Sequence, residues 1–343
     1  MTDRVAEIAE ALLYEGYLLW PYRRSALKNQ QRWTFGGVYP WQWSVDGGQG
    51  DAWQLRSEVL LEADRDATVA LELRFLHVVD RRVARLSAEG PEWVDALQVD
   101  GVRHASWQEA TERAIVVSSR PVSEFPAASA RLDIDIAAGA QRQAIEGRDG
   151  TAVGTVVREW RSLHGSIAVT ATRLGEGVWR LRASLLNLTS FDGETRPDAL
   201  RQTFVASHFA WRTARGAFVS STDPPPALRE AAATCRNVGT WPVLVGEDGE
   251  RHTMLASSII LYDYPRLAPE SPQNLFDSTE IDQLLVLNVL SLTDDEQREI
   301  RESDPRGRAL LDRCASLLPA DLMRLHGAIR DTRRVENDGQ GHE

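Results

Sequence analysis

The spacing of apolar residues changes twice along the chain, which predicts a helical start, a β-rich middle and a helical end. Between Val5 and Leu13, apolar residues recur three and four positions apart, as on the buried face of an amphipathic helix. This helix is expected to end near Gly16, and Pro21 then disfavours helical backbone at Trp20. The chain from there to Pro40 is predicted to be an extended, aromatic-rich segment.

The middle of the chain follows the period of two that is typical of strands. Between Val69 and Phe75, apolar residues alternate with Ala70, Glu72 and Arg74. Similar patterns predict strands at 55–61, 113–117, 132–136, 153–160, 167–172, 178–188, 203–211 and 254–262. Two short interruptions, 90–97 and 225–235, are predicted to be helical. Eight or nine strands without intervening helical patterns favour antiparallel sheets in a β-sandwich or an open barrel.

Helical signals return after Pro265. Asp277 with Glu280, and Thr293 with Glu296, have the spacing of capping boxes at helix starts. The predicted fold is therefore mainly β (α+β), with an N-terminal helix and a C-terminal helical region. The predicted domains are an N-terminal helix and aromatic wrap (1–45), an antiparallel β domain (46–265), a C-terminal helical region (266–334) and a disordered tail (335–343).

Composition excludes several classes of function. The net charge of −11 argues against nucleic-acid binding, which needs a dense basic face to neutralise phosphates. The N-terminus lacks the pattern of a secretory signal and no apolar run approaches the length of a membrane span, so a cytoplasmic protein is expected. Cys235 and Cys314 show none of the spacings of zinc, iron–sulfur or redox sites, and no metal or cofactor is expected.

Catalytic motifs give little support for an enzyme. The seven histidines occur singly, and His208, beside Phe209 and Trp211 on a predicted strand, is the best placed of them. The chain has no GxSxG elbow and no glycine-rich phosphate loop. Residues that are distant in sequence can still converge in space, so a hydrolase or a small-molecule site in a cleft of the β domain remains the alternative. A purely structural subunit is a third possibility.

The segment from Leu12 to Trp43 has the most unusual composition. It holds four of the six tyrosines, four of the eleven tryptophans and the single lysine, and residues 18–45 carry four cations and no acid. This segment either wraps onto the acidic stretch 277–304 or faces outward to anchor a protein partner, because Tyr, Trp and Arg dominate interface energetics. The candidate partner-binding residues are Tyr17, Trp20, Tyr22, Arg23, Arg24, Lys28, Arg32, Trp33 and Tyr39.

Two blocks of the chain resemble a functionally uncharacterised family encoded beside actinobacterial-type uptake NiFe-hydrogenase genes. They are LLYEGYLLWPYRRSALKNQQRWTFGGVYP at 12–40 and a block at 254–306 that begins MLASSIILYDYPRLAPESPQ. The resemblance implies a non-catalytic accessory role in the assembly or maturation of a hydrogenase, through contacts with a hydrogenase subunit or a maturation factor. It supplies no catalytic residues. A deep pocket with two titratable residues would favour an enzyme, whereas a shallow aromatic patch would favour a binding protein.

Overall fold

Fifteen antiparallel strands form most of the part of the chain that the structure describes. A computed structural model describes Ile8, Leu13 and residues 36–47, 50–125 and 130–265. The predicted C-terminal helical region and the tail lie outside these described residues, as do most of the predicted N-terminal helix and wrap. Ile8 and Leu13 are both helical, in agreement with the helix predicted there.

The strands range in length from 2 residues in β13 to 20 residues in β2. Their bounds are β1 Gln54–Glu62, β2 Thr68–Ser87, β3 Gly90–Val94, β4 Ala96–Val99, β5 Val102–Ala105, β6 Trp107–Pro121, β7 Ala130–Ile136, β8 Gly139–Glu146, β9 Ala152–Trp160, β10 Leu163–Gly175, β11 Val178–Asn187, β12 Val205–Thr213, β13 Ala217–Phe218, β14 Trp241–Leu244 and β15 Thr253–Ser257. The short helices are Trp41–Val45, Arg196–Leu200 and Arg229–Ala233, and single 3₁₀ turns lie at Val122–Glu124 and Pro226–Leu228.

Two large sheets share one hydrophobic core. The first has the order β13-β1-β11-β10-β7, and the second has the order β14-β15-β12-β2-β9-β8, with β3 and β6 also paired to β2. Alternate residues of both sheets, such as Leu61 of β1 and Leu73 of β2, belong to the same buried cluster. In that core the indole Nε1 of Trp211 donates to Ser57 Oγ at 3.3 Å.

The 20-residue strand β2 links this core to a smaller one. Its first half lies between β12 and β6, and its second half lies between β9 and β3. The β4–β5 hairpin covers the second half, where Leu97 packs with Val83, Val156 and Ile145. The face of β2 that is buried between the two large sheets therefore continues beyond them, beneath the hairpin.

The expectation of a mainly β, antiparallel fold is confirmed. The helix predicted at 90–97 is wrong, because Gly90, at a φ of +117°, turns the chain back so that β3 pairs with β2. The strand predicted at 254–262 ends at Ser257, and the chain then leaves the sheet. Helical turns do occur within 225–235, as predicted.

The described residues of the N-terminal segment contact the body at Ile8 and between Gly36 and Tyr39. Ile8 packs with Ala210, Val243 and Leu255 on the outer face of the second sheet. Val38 forms a β-bridge with Phe204, with N···O distances of 2.9 and 3.1 Å. Both contacts cover apolar surface that belongs to strands or loops more than 160 positions later in the sequence.

Candidate binding cleft

A shallow cleft of about 290 Å³ opens beside β14. Its lining is Ser221, Thr222, Asn237, Gly239, Thr240, Trp241, Pro242, Val243, Ile260 and Leu261. None of these side chains titrates near neutral pH. The cleft therefore offers hydroxyl groups, one amide and apolar surface to a ligand, but no acid or base.

The sequence of β14 explains one wall of this cleft. Pro242 has no N–H to donate, so it is tolerated only where a strand lies at the margin of a sheet. Val243 is buried and packs against Ile8, whereas Trp241 at the start of the strand is 44% exposed. The strand is thus anchored by three buried residues, Pro242, Val243 and Leu244, and presents its tryptophan to solvent.

Asp263 holds the two walls of the cleft together. Its Oδ1 accepts a hydrogen bond from the backbone N–H of Leu244 at 2.8 Å. Its Oδ2 accepts from the hydroxyls of Ser220 at 2.5 Å and Thr222 at 3.0 Å. The next residue, Tyr264, has a φ of +58° and donates its backbone N–H to Leu244 O at 2.7 Å. A non-glycine residue with such a φ is uncommon, and here these contacts fix it.

Exposed apolar side chains lie at the cleft and next to it in the sequence. Trp241 and Ile260, the latter 71% exposed, line the cleft, and Tyr262, which is 86% exposed, directly follows the lining residue Leu261. These three residues, Trp241, Ile260 and Tyr262, are called the cleft rim. Exposed aromatic residues next to a shallow depression are typical of surfaces that bind another protein.

Of the nine candidate partner-binding residues, Tyr39 alone lies within the described part of the chain, and it is 2% exposed. Its hydroxyl accepts a hydrogen bond from Arg196 Nη2, and Arg196 forms a two-bond pair with Asp51 at 3.0 and 3.1 Å. Trp43 Nε1 donates to the same carboxylate at 3.0 Å. Tyr39 therefore belongs to the protein interior and not to an outward-facing surface. The other eight are Tyr17, Trp20, Tyr22, Arg23, Arg24, Lys28, Arg32 and Trp33, and they lie outside the described residues.

His208, the best-placed histidine in the sequence, is buried and neutral. Burial lowers its pKa to about 4, and the Arg74 guanidinium lowers it further against the opposing effect of a hydrogen bond with Ala206 O. The ring follows a β-bulge in which Ala206 has a φ of +51°. His208 is not among the residues that line the cleft.

Metal-binding and membrane-spanning features are not found in the part of the chain that the structure describes. Within it, no group of three or more His, Cys, Asp or Glu side chains could hold a metal ion. Nor is any described helix long and apolar enough to cross a membrane. Cys235 is a free, half-buried thiol, and Cys314 lies outside the described residues.

Sequence reasoning missed the cleft because its walls come from three separate segments, 221–222, 237–243 and 260–261. The pair Trp241-Pro242 was one available signal, since it marks an exposed aromatic residue at the margin of a sheet. The strand predicted at 254–262 placed Ile260 and Tyr262 inside a sheet. Comparison with known proteins adds no assignment, because no protein-family model matches the chain and no curated protein sequence matches it.

Proposed function

We propose that this protein is a non-catalytic accessory protein that binds another protein through the cleft beside β14. The observation that carries the proposal is the cleft rim, in which Trp241, Ile260 and Tyr262 are 44%, 71% and 86% exposed around an apolar depression. Trp and Tyr bury a large area with few rotatable bonds, so they are the residues from which interfaces gain most of their energy.

The chemistry of the lining supports binding over catalysis at this cleft. General acid–base or nucleophilic catalysis needs titratable groups within hydrogen-bond reach of the reacting atoms. The lining residues supply hydroxyls from Ser221, Thr222 and Thr240 and an amide from Asn237, and none of them is itself an acid or base. The carboxylate of Asp263, which accepts from Thr222, is also bound to Ser220 and to the backbone N–H of Leu244 and so serves to hold the walls together. Such groups can orient the backbone of a bound segment, while Trp241 and Ile260 contact its apolar side chains.

The resemblance supports a hydrogenase subunit or a maturation factor as the partner. One of the two similar blocks, 254–306, includes Ile260 and Leu261 of the cleft lining and Tyr262 of its rim. The other block ends at Pro40, close to the bridge between Val38 and Phe204. An accessory protein of this kind recognises the partner during assembly and contributes no metal ligands itself.

The experiment is an affinity purification of the full chain from a host that carries the hydrogenase genes. The double variant Trp241→Ala, Tyr262→Ala is expected to lose co-purifying hydrogenase subunits or maturation factors, because each truncation removes about 2 kcal/mol of interface energy. The matched control is Trp93→Ala, which removes a tryptophan that is 47% exposed on β3, away from the cleft.

As a control, circular dichroism and thermal unfolding are used to verify that both variants fold. Recovery of the same hydrogenase chains with the double variant and the wild type would contradict binding at the cleft. Recovery of this chain alone from the wild-type host would contradict the accessory role.

A further inference from the structure

The second sheet ends at β8, a strand whose outer edge is open. All eight residues of β8 pair with β9, and within the described residues no strand pairs with the other edge of β8. Every second residue on that edge therefore presents its backbone N–H and C=O groups to solvent or to another chain. The pairing with β9 skips Val153, so the extra residue lies in β9 and β8 itself is a regular strand.

The opposite end of this sheet is protected, whereas β8 is not. In β14, Pro242 has no N–H, and the backbone N–H and C=O of Leu244 are bound by Asp263 and by the backbone of Tyr264. Proteins commonly shield edge strands with covering segments, prolines or lysines, because an open edge is a template for another strand. β8 contains neither proline nor lysine, and six of its eight residues are exposed. Its edge is thus accessible to a strand of another chain.

A second copy of the chain can pair with this edge in only a few symmetric registers. Opposite residues of antiparallel strands point to the same face, so a two-fold axis perpendicular to the joined sheet must pass through a residue position. An axis at Arg142 would place like charges opposite each other. An axis at Gln141 or Gln143 would place Arg142 opposite an alanine. An axis at Ala144 places Arg142 of each copy opposite Glu146 of the other copy.

The charges of Arg142 and Glu146 have no partner within the described part of the chain. Both side chains are exposed, and their neighbours on β9 are the uncharged Val157 and Ala152. They lie on one face of β8, roughly 13 Å apart along the strand, and form no ion pair with each other. In the register centred on Ala144, each finds an opposite charge in the other copy, and no like charges face each other across the strands.

We propose that two copies of this chain form a symmetric dimer through β8. The two β8 strands pair antiparallel about Ala144, which joins the second sheets of both copies into one continuous sheet. Backbone hydrogen bonds between the strands supply the attraction, and the two pairs of Arg142 with Glu146 fix the register. Association stops at the dimer, because each copy offers this edge once and a two-fold contact uses it on both sides.

Sedimentation equilibrium of the full chain over a series of protein concentrations measures this dimer. The mass is expected to rise from 38.2 kDa to twice that value as the concentration increases. Arg142→Glu and Glu146→Arg each place like charges opposite each other at two positions, and each is expected to weaken the dimer by at least about tenfold. The double variant Arg142→Glu, Glu146→Arg restores opposite charges and is expected to dimerise like the wild type.

Arg131→Glu is the matched control, because Arg131 is an exposed arginine of β7, the last strand of the other sheet, and its reversal should leave the dimer unchanged. Circular dichroism verifies that each variant folds. A wild-type chain that stays monomeric up to about 1 mM would overturn the proposal. So would a single reversal at Arg142 or Glu146 that dimerises as tightly as the wild type, a folded double variant that stays monomeric, or equal weakening by Arg131→Glu.

Discussion

Glu58 shows how one buried side chain organises a surface segment. Its carboxylate accepts hydrogen bonds from Arg182 Nε at 2.6 Å and from the backbone N–H of Arg236 at 2.9 Å. The backbone N–H of Glu58 donates to Asn237 Oδ1 at 2.7 Å. A buried charge needs such partners, so the glutamate fixes residues 235–238 against β1. The thiol of Cys235 is consequently held beside a negative charge.

This environment makes Cys235 a poor nucleophile. Burial, followed by the charge of Glu58, raises its pKa to about 11, and the thiolate is the reactive form. In a Cys314→Ser background, alkylation of Cys235 by iodoacetamide at about pH 8 is expected to be about 100-fold slower than that of the unfolded chain. Mass spectrometry of the modified peptide measures the rate. Equal rates in the folded and unfolded chain would show that the thiol is freely accessible and ionised normally.

At the scale of elements, the β4–β5 hairpin depends on the absence of a side chain at Gly154. A Cβ added there would lie 2.4 Å from Leu97 Cδ2 and 2.9 Å from the carbonyl oxygen of Ala84. The first contact belongs to the hairpin and the second to the backbone of β2. The backbone of β2 cannot move as the end of a side chain does, so a methyl group must push β9 and β2 apart locally and also displace Leu97, which packs the hairpin onto them.

Gly154→Ala is therefore expected to lower the free energy of unfolding by about 1–3 kcal/mol and to speed hydrogen exchange in residues 96–105. Gly175→Ala is the matched control, because a Cβ at Gly175 meets no atom within 4 Å. Urea unfolding and exchange monitored by mass spectrometry measure the two effects. Similar stability and exchange in both variants would indicate that the hairpin does not pack tightly on β9.

Alternation in the sequence predicts a strand only where one face of the strand is buried and the other is exposed to solvent. The alternation from Val69 to Phe75 predicted the first half of β2 because one face there is buried and the other is wetter. It failed beyond Phe75, since Leu76, His77 and Val78 are buried on both faces and the period of two disappears. The short strands β3, β4 and β5 gave runs too brief to show a period.

The candidate cleft was predicted less well than the strands. The cleft rim depends on Ile260 and Tyr262 leaving the sheet after Ser257, a change of direction that the local pattern does not encode. Strand pairing also places residues opposite each other that are far apart in sequence, such as Arg81 and Arg158, 77 positions apart. Sequence proximity cannot reveal such a pair, because each member is an ordinary strand residue in its own segment.

At the scale of the whole molecule, two buried histidines make stability depend on pH. His77 and His208 have pKa values lowered to about 4, mainly by burial, whereas in the unfolded chain each takes up a proton near pH 6.5. Between these values the unfolded state binds more protons than the folded state. The free energy of unfolding is therefore expected to fall as the pH is lowered through this window.

The expected loss is about 2 kcal/mol per histidine between about pH 7.5 and about pH 5, measured by urea unfolding at both values. The double variant His77→Gln, His208→Gln lacks both titrating groups. The free energy of unfolding of this double variant should change less over the same pH interval, even if the substitutions alter its value at about pH 7.5. A double variant that is as sensitive to acid as the wild type would assign the pH dependence to other groups, such as carboxylates.

The pairing of β2 also determines when its two edges can be covered during synthesis of the chain. Residues 68–87 are made early, but their partners arrive in sequence over the next 126 residues, from β3 at 90–94 to β12 at 205–213. Pairings of such long separation form slowly, because the intervening chain must first be closed into a loop. One edge of β2's first half stays open until Thr213 has emerged from the ribosome. Any fragment that ends before that residue exposes an unpaired apolar strand, and a nascent chain of this length is a natural substrate for a chaperone.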